Sequence, residues 1–159
     1  MPNWIEGTMK LRGKQEDIKR FFREGLEPSN WPDPKDRINQ VRDLSEENEL
    51  FFEFNNEPHI VGTRRAFITD ESVYMCGDSG VACVNVKQAW AFISGPDTRD
   101  MDEWVKISNK YNVDIKLYGI EEGMEFTQEV IIVRGEKPIV NDTQYEDWDW
   151  DCPFPRMGG

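Results

Sequence analysis

The residues of this chain that could do chemistry fall in a few short stretches. Gly77-Asp78-Ser79-Gly80 sets a serine between an aspartate and glycines, the surroundings of an acyl-transfer nucleophile. Such a serine needs a histidine base, an orienting carboxylate and oxyanion donors assembled around it. His59 is the single histidine and stands in Glu57-Pro58-His59-Ile60. The tetrapeptide therefore reads as a turn, for which its glycines and aspartate suffice. The cysteines are Cys76, Cys83 and Cys152. None sits in a Cys-x-x-Cys hook, Cys76 and Cys83 are six residues apart, and His59 stands alone, so the clustered ligands of a zinc site are not expected. Glu121 and Glu122 are adjacent carboxylates. Neighbours on a turn diverge, and two exposed carboxylates lack the separated pKa values that acid–base work needs. No GxxxxGK[ST] loop is present to cradle phosphates. Arg64-Arg65 is the best place for a local basic pocket, beside the simpler reading of an exposed strand pair. The sequence thus predicts no catalytic residue, no metal ligand and no cofactor.

The most unusual segment is Tyr145, Glu146, Asp147, Trp148, Asp149, Trp150 and Asp151, in which carboxylates alternate with indoles. As a strand it would place both Trp on one face and Asp147, Asp149 and Asp151 on the other. Aromatic anchors beside an anionic ribbon suit a basic groove, because Trp is favoured at binding hot spots and carboxylates steer cationic partners. The other reading folds the Trp pair back over the sheet as apolar cover. The two are compatible.

Those residues must be held by regular elements, and the hydrophobic pattern supplies them. Ile5, Met9 and Leu11 alternate with polar residues around Gly7, which predicts a strand. Ile18, Phe21 and Phe22 form one helical stripe between Gln15 and Gly25. Pro28, Pro32 and Pro34 crowd around Trp31, so residues 26–49 read as a long irregular insertion, with one short helix near Asp36 to Asp43. Strands follow at Leu50 to Phe54, His59 to Ile68, Val73 to Cys76 and Val81 to Ile93. The Gly77–Gly80 turn would join the last two as a hairpin. In Val81 to Ile93, Ala82, Val84, Val86, Trp90 and Phe92 share a face. A helix starts at Asp97 or Thr98 and runs to about Tyr111. Val113 to Ile120 and Met124 to Val133 are strands, the second with Gln128 as the exception on its apolar face. The order fits an α+β domain: a ferredoxin-like split-βαβ sandwich with extra antiparallel strands and helices on one sheet face. Residues 1–140 form that single domain, and 141–159 read as an acidic aromatic C-terminal tail.

Met1-Pro2-Asn3-Trp4 with Leu11 and Gly13, then Phe92-Ile93-Ser94-Gly95-Pro96, then Glu121-Glu122-Gly123-Met124-Glu125-Phe126, together resemble YubB-like ferredoxin-like domains of phages and plasmids. The resemblance covers about the first 25 residues and residues 88 to 135. It implies the fold and a mobile-element origin, and no settled activity.

Composition bounds the partners. Lys and Arg total 19 against 31 Asp and Glu, a net charge of −12, which repels nucleic-acid backbones and anionic membranes. No apolar run reaches the roughly 20 residues of a membrane helix. An odd number of cysteines and no basic-then-apolar leader point to a reducing cytoplasm, here that of a host cell. The function expected is an accessory protein that binds a basic surface of a host protein and inhibits it, mimicking nucleic-acid charge in the manner of inhibitors of host defence. The alternatives are a small-ligand binder or enzyme with a pocket near the Pro-rich loop, and a self-associating domain.

Overall fold

The structure is a computed structural model that describes residues 3–29, 41–76, 80–95 and 99–153. It is a mixed α+β protein built on mostly antiparallel sheet with three helices among those residues. The first strand, β1 (Trp4–Arg12), buries Ile5, Met9 and Leu11 on one face, as the alternation requires. Helix α1 (Gln15–Glu24) follows, with Ile18, Phe21 and Phe22 turned inward. It ends where the Gly25 N–H donates to the Phe21 carbonyl at 2.7 Å. The strands that follow are β2 (Leu26–Glu27), β3 (Val41–Asp43), β4 (Glu49–Phe54), β5 (His59–Ile60), β6 (Ala66–Ile68), β7 (Ser72–Cys76) and β8 (Val81–Ala89). Helix α2 (Arg99–Tyr111) leads to β9 (Asp114–Glu121), β10 (Phe126–Ile132) and β11 (Ile139–Gln144), and the short helix α3 (Trp148–Asp151) closes the series.

The large sheet has the order β11-β10-β9-β1-β8-β6-β5-β2. β1 is antiparallel to both neighbours, pairing Met9 with Val84 of β8 and with Leu117 of β9. β8 and β9 therefore run parallel to one another with β1 between them, and α2 is the connection that joins them. β6 is antiparallel to β8, so it runs in the same direction as β1. Helices α1 and α2 bury their apolar stripes in one cluster with Met9, Leu11, Val84, Ile115 and Leu117, and Phe21 meets Tyr111 edge-on at 5.4 Å. A second sheet, β3-β4-β7, joins the same core through Phe22, whose ring lies 5.3 Å from Phe52 and 5.6 Å from Phe54. Burial of such rings is the main favourable term here, at about 2–3 kcal/mol each.

Several expectations are corrected. β7 and β8 do not pair as a hairpin. β7 pairs with β4 in the small sheet while β8 pairs with β1, so the connection between them changes sheet. Each strand buries alternate residues, and Val73 and Met75 of β7 share one core cluster with Val84 and Val86 of β8. Residues 26–49 are not wholly irregular. β2, β3 and the first residue of β4 lie in that stretch, and Val41 pairs with Phe54 where a helix was expected. Trp31, Pro32 and Pro34, and most of that expected helix, lie outside the described residues, as do Gly77–Ser79 and the expected caps Asp97 and Thr98. Residues 141–144, read as tail, belong to β11, which is hydrogen-bonded along β10 from Ile131↔Ile139 to Phe126↔Gln144. The hairpin is possible because Gly135, at φ +79, completes a turn closed by the Glu136 N–H on the Val133 carbonyl at 3.0 Å.

Candidate functional site

Among the described residues two exposed indoles, Trp150 and Trp90, lie beside carboxylates. The first place is the C-terminal segment singled out above. It is not a strand. Asp147 caps α3, its Oδ1 accepting from the Trp150 N–H at 3.2 Å, and the Asp151 and Cys152 N–H groups donate to the carbonyls of Asp147 and Trp148. An aspartate in the cap position and further carboxylates in the first turn favour helix over strand there. The change matters because residues two apart on a helix diverge by about 200° instead of sharing a face. Trp148 is accordingly half-buried, its ring 5.7 Å from Tyr145 in an edge contact, whereas Trp150 is 85% exposed.

The turn is fastened to the face of the sheet that the helices leave open. The Tyr145 hydroxyl lies 3.0 Å from Thr127 Oγ1 on β10, and Cys152 is buried. Burial pushes the Tyr118 phenol up, helped by the nearby Tyr145, and it pushes the Cys152 thiol up, helped by Glu122. Glu146, Asp147, Asp149 and Asp151 are all exposed. Of the residues predicted for partner binding, the structure thus brings Trp150 and these carboxylates to the surface together, and uses Tyr145 and Trp148 to hold them there.

The second place was not anticipated. β8 stops at Ala89 because Trp90 takes φ +74, and the Ala91 N–H reaches back to the Ala89 carbonyl at 3.1 Å. This is the rare γ-turn, which a bulky residue adopts only under constraint from its surroundings. The constraint is visible. The Trp90 N–H donates to the Asn3 carbonyl at 2.8 Å, and Gln88 Nε2 donates to the Phe92 carbonyl at 3.1 Å. Gln128 of β10 clamps Ile93 from the other side. Its Oε1 accepts from the Ile93 N–H at 2.9 Å, and its Nε2 donates to the Ile93 carbonyl at 2.9 Å and to Asp142 at 2.8 Å. The indole of Trp90, expected on the core face, is instead half exposed.

Trp90 forms one wall of a cleft of about 480 Å³, with Ile93, Met124, Phe126, Arg64, Glu121, Gln128 and Asp142 among the other walls. Arg64 reaches this cleft, but its Nη2 is spent on the Ala89 carbonyl and Ser94 Oγ, and its Nε faces the buried Asp100 at 4.0 Å. Arg65 does not line it. Glu121, expected to be exposed like Glu122, is instead buried and accepts from the Gly123 and Met124 N–H groups at 3.0 and 2.6 Å; Glu122 is exposed, and the pair diverges.

The remaining sequence candidates stay apart. Cys76 and Cys83 are exposed thiols on different strands. His59 lies between Glu27 Oε1 at 2.7 Å and the Thr63 carbonyl at 3.0 Å, tying β5 to β2. Among the described residues no helix is long and apolar enough to cross a membrane. The Gln128 anomaly was the one sequence signal that pointed to the clamp. The backbone reversal at Trp90 had none, because nothing in its type favours a positive φ. Comparison of the chain with protein-family models, curated proteins and solved structures finds no match.

Proposed function

We propose that this protein is a binding module of a phage or plasmid that docks on a basic surface of a host protein and blocks it, setting carboxylates where nucleic-acid phosphates would lie. The observation that carries this reading is Trp150, 85% exposed on a turn that is itself pinned to the sheet and flanked by exposed Glu146, Asp147, Asp149 and Asp151. An indole left in water forgoes about 2–3 kcal/mol that burial in a partner would recover. A pre-formed turn loses little further entropy on binding. The net charge of −12 adds long-range attraction for a cationic surface.

The strand order β9-β1-β8-β6, with α1 and α2 as its crossovers, supports a ferredoxin-like core to which β10, β11, β5 and β2 are additions. That core is the fold that the likeness to YubB-like domains implies.

The test is affinity capture from host lysate with the full chain and with Trp150→Ala. The intact chain is expected to retain one partner that leaves progressively as added salt shortens the screening length from about 10 Å towards 3 Å. Trp150→Ala should lose it. A partner retained equally by Trp150→Ala, or one indifferent to salt, overturns the reading.

A further inference from the structure

We propose that the cleft beside Trp90 binds a small organic cation, an ammonium or guanidinium group carried on an apolar stem. The cavity, at about 480 Å³, is of ligand size. Two of the chain's most exposed large apolar side chains converge on it, Met124 at 60% and Trp90 at 50%. Together with Phe126 and Ile93 they give a soft apolar floor and one flat indole face.

The sign of the ligand's charge follows from the polar walls. Among the described residues Arg64 is the one cationic wall, and its charge is already answered by Asp100 behind it and by the Ala89 carbonyl and Ser94 hydroxyl. Glu121 and Asp142 are different. Each accepts hydrogen bonds from neutral groups only, and among the described residues neither has a Lys or Arg nitrogen within ion-pair distance. Two carboxylates without a counter-charge, beside an indole, form the environment in which a cation gains most. It meets the ring's negative face and the carboxylates together. The acidic field of the whole chain raises the local concentration of such cations. The site shares no residue with the C-terminal turn, so it stands or falls separately from the docking reading above.

The experiment is calorimetric titration of the full chain with phenethylammonium, and with 2-phenylethanol and phenylacetate as neutral and anionic ligands of the same stem. The ammonium is expected to bind about tenfold more tightly than the alcohol, roughly 1.4 kcal/mol, with phenylacetate weaker still. Asp142→Asn keeps the amide oxygen that Gln128 needs and removes only the charge, and it should weaken the ammonium about fivefold or more without changing the alcohol. Trp90→Leu should weaken both, and Trp150→Ala neither. Thermal melts establish that each variant is folded. Equal or tighter binding of phenylacetate, no binding of the ammonium at millimolar concentration, or an Asp142→Asn variant with full affinity would each overturn the proposal. So would a site that takes a lysine side chain only when it is part of a peptide.

Discussion

Gly7 shows how much one missing side chain can decide. It faces Gly119 across the β1–β9 ladder, and a Cβ built on it would stand 1.9 Å from the Tyr118 carbonyl oxygen. A Cβ on Gly119 would meet the Phe92 ring at 2.7 Å. The first contact is with backbone and cannot be relieved by a rotamer, so β1 and β9 would have to separate. Gly7→Ala is expected to lower stability by about 3 kcal/mol or more, read from the urea midpoint.

Asp114 makes the opposite kind of contribution. Burial pushes its carboxyl up, but the Arg134 backbone N–H and the Arg12 and Arg134 guanidinium groups, at 2.8 to 3.1 Å, together outweigh it and hold the pKa below the ordinary 3.8. A folded value below the unfolded one contributes stability that is complete above 3.8 and is lost as pH falls through the folded value. Urea midpoints should therefore drop on acidification below that point. Asp114→Asn should be less stable near neutral pH and flatter in acid. An unchanged acid limb in the variant would refute the assignment.

At the scale of elements, the β10–β11 hairpin does two jobs, and Gln128 joins them. Its amide satisfies both backbone groups of Ile93, which follows the Trp90 turn, while its other Nε2 hydrogen goes to Asp142 on β11. Gln128 is 1% exposed, so removing the amide strands these groups away from water. Gln128→Ala should cost about 2–4 kcal/mol and should speed hydrogen exchange at the Ile93 amide more than at Leu117 in mid-sheet. Uniform acceleration across the sheet would mean that the clamp is not local. The sequence marked Gln128 as an exception on an apolar strand face. It could not mark the partner, because Ile93 lies 35 residues earlier and meets it only through the fold.

On the proposed function, the whole molecule divides stability from recognition. Trp104 is 1% exposed inside the helix-and-sheet core, whereas Trp150 is 85% exposed on the closing turn. Trp150→Ala should accordingly change the unfolding free energy by no more than about 0.5 kcal/mol while abolishing capture of the partner. A large loss of stability in that variant would mean that the indole packs, and that the C-terminal turn is cover rather than contact. The excess of negative charge acts at this scale as well. It is a property of the full chain, and it favours cationic partners at the turn and cationic ligands at the cleft alike.

Periodicity alone determined the strand at residues 4–12, the helices at 15–24 and 99–111, and the strands at 114–121 and 126–132, because the alternation or stripe of apolar residues is a local record of which face is buried. Composition alone determined the sign of the charge. What only the tertiary structure decided is which strands are neighbours, and so that β7 leaves β8 for a second sheet. It also decided that Asp147 caps a turn, parting Trp148 from Trp150, and that the chain reverses at Trp90, with the Gln88 and Gln128 amides holding the residues that follow. Each of these depends on partners distant in sequence or on a competition between local conformations of similar energy, and neither leaves a period to read.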